Sequence, residues 1–426
     1  MLLAARFGVI TPVRSTIFDK QYQRLFRREA FLNFDWVSPL CMLALLIIGC
    51  VFIYSAQLSY GGGSWKRQIF WMFFGFSVYG VIAITDYRIF LSKAHWIYMG
   101  GIVLLILVKT PMGVTEMGAR RWINLGITYY QPSEAAKLAT LIMVSSILSR
   151  SKFEGIGNSL KVLAKMGLVV SLPAALILEQ PDLGSTLVIP PMVFALLYVS
   201  NLSQRFFAGT FVACAILVSV VGYDIYKYHD FLIEREITAD VNIAQGSQYE
   251  EQSWFPLRDY QRNRLLAFFA PDLADPRGVD ITYNARQSFI TVGTGGLLGK
   301  GWLEGTQAKL GYLPRSVAHN DFIFSVIGEE TGFLGGLVVL VLFGSLIANG
   351  FRIAGNARDH FGMLLCVGVS VLFLIHLFIN VGMTVGLAPI TGLPLPFLSY
   401  GGSFVLSCCI LQGLIQSVYR HRREYT

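Results

Sequence analysis

Long blocks of apolar residues, separated by short polar turns, recur along most of this chain. Several blocks approach the roughly 20 residues that an α-helix needs to cross a hydrocarbon layer about 30 Å thick. Backbone polar groups cannot stay unpaired in lipid, so such blocks must form helices or a closed barrel. Barrel strands would alternate in polarity over about 10 residues, and these blocks do not. The sequence therefore predicts an all-α, polytopic membrane protein.

Composition supports the same class. Of 426 residues, 54% are hydrophobic and 14% are charged, against about 25% charged residues in a soluble domain. The mean hydropathy of +0.56 is too high for a soluble core with one anchor. The six cysteines fall in apolar blocks, which indicates packing residues and no disulfide framework or metal site.

About ten transmembrane helices are predicted. We place them at 39–56, 68–84, 94–108, 133–150, 162–178, 185–200, 207–223, 322–350, 361–386 and 397–419. Residues 38–419 then form one transmembrane domain, preceded by a cytoplasmic segment 1–37 and followed by a cytoplasmic tail 420–426. The polar stretch 224–321 is a large extracytoplasmic loop between helices 7 and 8.

The distribution of Lys and Arg sets the orientation of this bundle. With the N-terminus inside, basic residues in the inner segments greatly outnumber those in the short outer loops. Both termini are therefore expected on the cytoplasmic side of the membrane. The same inner-face residues account for much of the net charge of +8, so no nucleic-acid partner is predicted.

Asp321 closes the large loop and is followed at once by an apolar helix. A carboxylate at this boundary is partly desolvated, which raises its pKa, whereas a helix N-terminus lowers it. Asp321 is thus a candidate for chemistry, and equally a candidate N-cap. Asp182 lies in a short turn on the same predicted face, so two carboxylates could share one site. The alternative for Asp182 is turn chemistry alone.

Two further groups lie near the predicted outer face. Arg120 and Arg121 suit a diphosphate, which guanidinium groups bind in a bidentate manner, while Trp122 is also typical of interfacial anchoring. Glu134 and Lys137 are three residues apart on one helix face, either as a structural ion pair or in a substrate role. In the apolar helices, His376 and Asn380 predict helix–helix polar contacts, and Gly332 with Gly336 predicts close helix packing.

These stretches resemble the SEDS family of shape, elongation, division and sporulation proteins, which includes RodA and FtsW. The matching motifs are Gly118-Ala-Arg-Arg-Trp-Ile-Asn-Leu-Gly126, Gln131-Pro-Ser-Glu134 with Lys137, Gln180-Pro-Asp-Leu-Gly184, Asp259-Tyr-Gln-Arg-Asn-Arg-Leu265, Gly299-Lys-Gly-Trp-Leu-Glu-Gly-Thr-Gln307, Asp321-Phe-Ile-Phe324 with Glu329-Glu330, and Gly386-Leu-Ala-Pro-Ile-Thr-Gly-Leu-Pro-Leu-Pro-Phe-Leu-Ser-Tyr-Gly-Gly-Ser403. The form of the stretch 299–307 is most similar to the elongation branch, RodA.

The resemblance implies a peptidoglycan glycosyltransferase that polymerises lipid II with inversion, and it places Asp321 where the family has its essential Asp. It implies a class B penicillin-binding protein and other elongation-machinery membrane proteins as partners. Matching motifs make Arg120, Arg121, Trp122, Glu134, Lys137, Asp182 and Gln307 candidate substrate-binding residues. No protein metal site is assigned, although a divalent cation such as Mg or Mn is conceivable at a diphosphate.

The sequence departs from the family pattern just before Asp321. The family usually has Leu-Pro-Glu-x-His-Thr-Asp, whereas this chain has Leu313-Pro-Arg-Ser-Val-Ala-His-Asn-Asp321. Two alternatives to a polymerase stay open: a lipid II flippase, and a non-catalytic scaffold for the transpeptidase. They differ from it over Asp321, since neither needs a proton acceptor for a sugar hydroxyl.

Overall fold

The computed structural model describes residues 34–116, 119–124, 126, 128–151, 153, 156–180, 182–200, 202–238, 249, 253, 257–275 and 282–422. Most of the predicted cytoplasmic segment 1–37, and residues 423–426 of the predicted tail, therefore lie outside the described residues. Within the described part, helices dominate, and the predicted all-α class is confirmed.

Each predicted apolar block overlaps one long helix. These are α1 (Val37–Gln57), α2 (Ser64–Ile84), α3 (Arg88–Leu107), α4 (Pro132–Arg150), α5 (Ile156–Glu179), α6 (Leu183–Val199), α7 (Gln204–Thr238), α13 (Ile323–Gly355), α14 (His360–Thr384) and α15 (Gly402–Arg420). Among the described residues, eight helices are long and apolar enough to cross a membrane, and α6 is apolar but shorter. The count of ten transmembrane helices stays a prediction, because neither α4 nor α6 is one of the eight.

Local sequence explains where several of these helices begin. Pro132 occupies the first turn of α4, where its missing N–H costs no hydrogen bond. Asp182 caps α6 by accepting a hydrogen bond from the Ser185 N–H at 3.1 Å. Asp359 caps α14 in the same way, through the Gly362 N–H at 2.8 Å.

A small antiparallel sheet precedes α4, where the sequence indicated only a loop. Its strands are β1 (Gly113–Glu116), β2 (Ala119–Asn124) and β3 (Tyr129–Tyr130), in the order β1-β2-β3. Val114 lies opposite Trp122, and Ile123 lies opposite Tyr130. The sheet fixes the direction of the Arg120, Arg121 and Trp122 side chains, which a flexible turn would not.

The stretch 224–321 is largely helical where it is described. Helix α7 runs on from the predicted boundary at 223 to Thr238. Five short helices follow: α8 (Asp259–Phe269), α9 (Pro271–Ala274), α10 (Tyr283–Thr294), α11 (Thr306–Leu310) and α12 (Arg315–Ala318). The end of α7 and helices α8 and α9 share a small core that contains Tyr228, Leu232 and Leu266.

The main core lies between the long helices. Helix α15 packs on α2, α3 packs on α4, and α13 packs on both α1 and α14. Helix α13 is interrupted at Gly332, whose φ of +68° is unfavourable for a residue with a side chain. At this interruption the Phe333 N–H donates to the Gly296 carbonyl at 2.9 Å, so Gly332 admits a loop and not a neighbouring helix. The predicted helix–helix role of Gly332 is therefore wrong.

Candidate active site

Asp321 lies two residues before α13 and its side chain is partly exposed. The N-cap residue of α13 is Phe322, and no side chain caps this helix, so the N-cap role considered for Asp321 is not observed. Its backbone is held instead. The Asn380 Nδ2 atom donates to the Asp321 carbonyl at 2.8 Å and to the Leu393 carbonyl at 2.7 Å, which ties Asp321 to α14 and to the loop before α15.

The loop before α15 comes close to the Asp321 carboxylate at Gly392. This glycine has a φ of +72°, and a Cβ placed on it would lie 3.5 Å from Asp321 Oδ2. A side chain here would be strained and would occupy space directly in front of the carboxylate. Glycine therefore keeps that space open for another group.

Charges from three other parts of the chain act on Asp321. Burial raises the pKa of this carboxyl from its ordinary 3.8 to about 6, although Arg264 and Arg121 act to lower it. Asp182 adds to the increase by repulsion. The structure thus brings the sheet, the turn before α6 and helix α8 close to the Asp321 carboxyl. This arrangement is consistent with the prediction that Asp182 and Asp321 lie on the same face.

The Asp182 carboxylate differs from that of Asp321, because it is buried and fully engaged. Besides capping α6, it accepts hydrogen bonds from Gln131 Nε2 at 3.1 Å and from the Ser133 hydroxyl at 3.3 Å. Turn and capping chemistry therefore account for its contacts. Its influence on a substrate would be electrostatic.

The two adjacent arginines have different surroundings. Arg120 is exposed and donates back to its own hairpin, from Nη2 to the Thr110 carbonyl at 2.5 Å and from Nε to the Gly113 carbonyl at 3.2 Å. Arg121 points to the other side of β2, as strand alternation requires, and donates from Nε to the Gln180 carbonyl at 3.2 Å. Of the two, only Arg121 acts on the Asp321 carboxyl. Trp122 is half-buried beside them.

Glu134 and Lys137 form the buried ion pair that was one of the two alternatives, with Lys137 Nζ 2.8 Å from Glu134 Oε1. Lys137 Nζ also lies 3.5 Å from His376 Nε2, and His376 Nδ1 lies 3.1 Å from the Pro394 carbonyl. A cavity of about 20 Å³ adjoins these groups, which is room for about one water molecule. His376 thus makes the predicted interhelical polar contact, and it does so to this ion pair.

Gln307 has contacts of a different kind. Its backbone N–H donates to both oxygens of Glu329, at 3.0 Å and 3.2 Å. The same carboxylate pairs with Lys300 at 2.6 Å and accepts the Thr306 N–H at 2.8 Å. These bonds hold the loop 300–307 against the start of α13. Among the described residues, the structure brings Gln307 to Glu329 and gives it no hydrogen bond to Asp321.

The segment that departs from the family pattern is ordered by a short helix. Leu313 is buried, and α12 follows it. Arg315, which replaces an acid, lies with its guanidinium 5.3 Å from the centre of the Tyr60 ring, and the Tyr60 hydroxyl donates to the Arg315 carbonyl at 3.2 Å. The start of α12 is thus packed against the turn that follows α1, and His319 and Asp321 come directly after α12.

Three residues at this site were not among the predicted site residues: Arg264, Asn380 and Gly392. Arg264 stands in a matched motif and carries the right charge, so its sequence signal was present. Asn380 was assigned only a packing role, and an amide in an apolar helix cannot be assigned to a distant carbonyl without the fold. Gly392 also stands in a matched motif, but its role beside Asp321 can be assigned only once its φ is known.

The donor set does not favour a divalent cation. In the described part of the chain, no three His, Cys, Asp or Glu side chains come together as metal ligands. The Asp182 oxygens already accept three hydrogen bonds, and two arginines supply positive charge near Asp321. A Mg or Mn ion at this site stays a prediction.

Comparison with known proteins agrees with the motifs. Residues 35–424 match the profile of the FtsW/RodA/SpoVE family of cell cycle proteins. The chain is 32% identical over 412 residues to the peptidoglycan glycosyltransferase MrdB of Escherichia coli K12, covering 97% of each chain. It is 32% identical over 436 residues to the peptidoglycan glycosyltransferase RodA of Treponema pallidum, covering 91% of this chain and 97% of the relative.

A solved structure has the same fold. It is a chain from a study of the structural coordination of polymerization and crosslinking by a peptidoglycan synthase complex. The TM-score is 0.71 and the identity 26%, with 91% of this chain and 98% of that chain covered. The apolar helices and these relatives together identify a multi-helix membrane protein. The resemblance inferred from the motifs is confirmed: this chain belongs to the FtsW/RodA/SpoVE family.

Proposed function

We propose that this chain polymerises lipid II into glycan strands and that Asp321 is the general base of the reaction. The chain aligns with peptidoglycan glycosyltransferases over nearly their whole length, and it is itself a peptidoglycan glycosyltransferase. The observation that carries the role of Asp321 is its setting: a desolvated carboxylate on a half-buried residue, which caps no helix, faces Gly392 and lies among charges from three other segments.

The chemistry requires such a group. The 4-hydroxyl oxygen of the acceptor sugar attacks the anomeric carbon of the donor, and the bond from that carbon to the lipid diphosphate breaks. The hydroxyl proton passes to Asp321, and the diphosphate leaves with the bonding electrons. One attack on an α-linked donor gives a β-linked product, so the reaction inverts. A positioned base contributes about 10²–10⁴-fold to the rate. With a pKa near 6, Asp321 is a stronger base than an ordinary Asp and is still ionised at neutral pH.

The leaving diphosphate needs positive charge in the transition state. We propose that Arg121 and Arg264 supply it; the support for this is that both act electrostatically on the Asp321 carboxylate. Guanidinium groups match phosphate oxygens in geometry as well as charge. The Arg120 side chain donates hydrogen bonds to its own hairpin, so a substrate role is less supported for Arg120 than for Arg121. Because Glu134 and Lys137 pair with each other in a buried position, we propose that they affect the substrate indirectly, through the packing of the adjoining helices.

The setting that we propose is the bacterial inner membrane, with both termini in the cytoplasm and Asp321 on the outer side. The excess of basic residues in the predicted inner segments supports this orientation. Elongation is the proposed process, since the stretch 299–307 is most similar to that branch. A class B penicillin-binding protein is the proposed transpeptidase partner, in keeping with the polymerization and crosslinking described for the structural relative.

The test is polymerisation of purified lipid II by the purified protein with its cognate transpeptidase, comparing wild type with Asp321→Asn. Asp272→Asn is the matched control, since its carboxylate is exposed on the same loop region. We expect long glycan strands from wild type and the control, and at least about 100-fold slower polymerisation from Asp321→Asn. Equal rates from all three would remove Asp321 from the mechanism. No polymer from any folded complex would favour the flippase or the scaffold.

A further inference from the structure

A second cavity lies at the end of α4 that is remote from Asp321. It has a volume of about 290 Å³ and opens between α3, α4 and α5. Arg150, the last residue of α4, lines it. Seventeen residues of helix separate Arg150 from Ser133, which contacts Asp182, so the two sites are about 25 Å apart at 1.5 Å per residue. The cavity therefore belongs to the opposite face of the bundle.

The side chains around this cavity are strongly basic. Arg150, Lys161 and Lys165 line it together with His95, and the hydroxyl groups of Ser146 and Ser151 lie between them. None of the described lining residues is acidic. The ion pairs found in the described part of the chain involve none of these cations. Three permanent positive charges thus share one concave site.

The arrangement of these charges indicates an anionic ligand. Lys161 and Lys165 are four residues apart on one face of α5, where two like charges repel each other. An anion held between them removes that repulsion. Arg150 is positioned by a hydrogen bond from Nη2 to the Leu91 carbonyl at 3.0 Å, so its remaining N–H groups can bind phosphate oxygens as a fork. Phosphate is the group that fits this combination.

The surface beyond the lysines indicates what carries the phosphate. Leu168 and Leu172 continue the same face of α5 along the outer surface of the bundle, three and seven residues after Lys165. Their side chains are 74% and 47% exposed. All four residues belong to Gly157–Glu179, a segment apolar enough to cross a membrane. A charged stretch followed by an apolar strip matches a headgroup followed by an acyl chain.

A tryptophan marks the same level on α3. Trp96 follows His95 and is 77% exposed, as expected for a residue at a membrane–water boundary. From these observations we infer that this cavity binds the phosphate of an anionic phospholipid, with an acyl chain lying along Leu168 and Leu172. Basic pockets between transmembrane helices on the cytoplasmic side suit such headgroups.

The experiment is lipid binding to the full-length protein in nanodiscs of phosphatidylcholine doped with phosphatidylglycerol. Native mass spectrometry after release counts the phosphatidylglycerol molecules retained. The test variant is Lys161→Gln/Lys165→Gln, and the control is Lys93→Gln/Arg205→Gln, which removes the same charge from exposed residues that do not line the cavity. At about 1 kcal/mol for each lysine, we expect about 30-fold weaker retention in the test variant only.

Two further arms decide the source of the phosphate and protect against misfolding. Melting temperatures in neutral detergent should be equal for all variants, and Lys161→Arg/Lys165→Arg should restore retention. Inorganic phosphate added in neutral detergent should not raise the wild-type melting temperature. A rise in the wild-type melting temperature with phosphate alone, absent from the Lys161→Gln/Lys165→Gln variant, would show a free-anion site and overturn the lipid assignment. Equal retention by the test and control variants would overturn the site itself.

Discussion

Polymerisation is expected to depend on pH through Asp321. Burial raises the pKa of this carboxyl to about 6, and only the ionised form can accept the proton of the acceptor hydroxyl. The rate should therefore fall as the pH drops through 6. Between pH 7 and pH 5 the ionised fraction falls from about 0.9 to about 0.1, so the rate should fall about tenfold. An Asp with an ordinary pKa would lose less than about a tenth of its activity over the same interval.

Neighbouring charges provide an independent check, because they should move the inflection in opposite directions. Arg264 lowers the pKa of Asp321, so Arg264→Gln should move the inflection to higher pH. Asp182 raises that pKa, so Asp182→Asn should move the inflection to lower pH. Arg264→Gln should also slow the reaction at every pH, since Arg264 is proposed to stabilise the leaving group. The position of the inflection is separate from this overall rate.

The measurement is the initial rate of polymerisation of fluorescent lipid II with the cognate transpeptidase, from about pH 5 to about pH 8. Samples returned to neutral pH must recover full activity, which separates titration from denaturation. Binding of the transpeptidase is followed in parallel at each pH. An inflection near pH 4 that neither variant moves would refute the assignment of a desolvated Asp321 as the base.

Three further predictions concern groups around and beyond the site. Asn380→Ala should lower kcat about 10-fold or more with KM little changed, because the catalytic carboxylate loses its backbone anchor; steady-state kinetics would show the opposite split if Asn380 bound substrate. Glu134→Gln or Lys137→Met alone should lower the free energy of unfolding by about 3–5 kcal/mol, and the double variant should lower it by less. A double-mutant cycle of unfolding in detergent measures this. Arg262→Gln should speed hydrogen exchange in α8, because it breaks the fully buried pair of Arg262 with Asp224. Arg286→Gln breaks the exposed pair with Asp272 and should not; equal exchange in both variants would contradict this.

The helical framework could be predicted because it depends on local sequence alone. Each apolar block must satisfy its own backbone hydrogen bonds in lipid, so it can be predicted as a helix by itself. Likewise, Pro132 indicates the start of α4 without information from other segments. The sheet at 113–130 could not be seen in this way, because its strands are short and depend on pairing with each other. The interruption of α13 was also missed, since Gly332 is explained by a loop some thirty residues earlier in the chain.

Contacts within the site could be predicted where the residues are close in sequence, and could not where the fold brings distant segments together. A spacing of three residues on a helix was sufficient to predict contact between Glu134 and Lys137. Motif matching alone grouped Gln307 with Asp321, yet the backbone of Gln307 is held by Glu329. The contact of Asn380 with Asp321 joins residues 59 positions apart, and no periodicity reports such a distance.

The two carboxylates of the candidate site, Asp182 and Asp321, show how different surroundings give the same residue type different properties. Asp182 receives hydrogen bonds from a backbone N–H, an amide and a hydroxyl, so its oxygens are committed and its side chain cannot turn to a substrate. Within the described part of the chain, Asp321 caps no helix and faces Gly392, and its carbonyl accepts a hydrogen bond from Asn380. The negative charge fixed at Asp182 raises the pKa of Asp321, and a stronger base results. In the proposed mechanism Asp182 therefore acts by raising the pKa of Asp321, and Asp321 acts by accepting the proton.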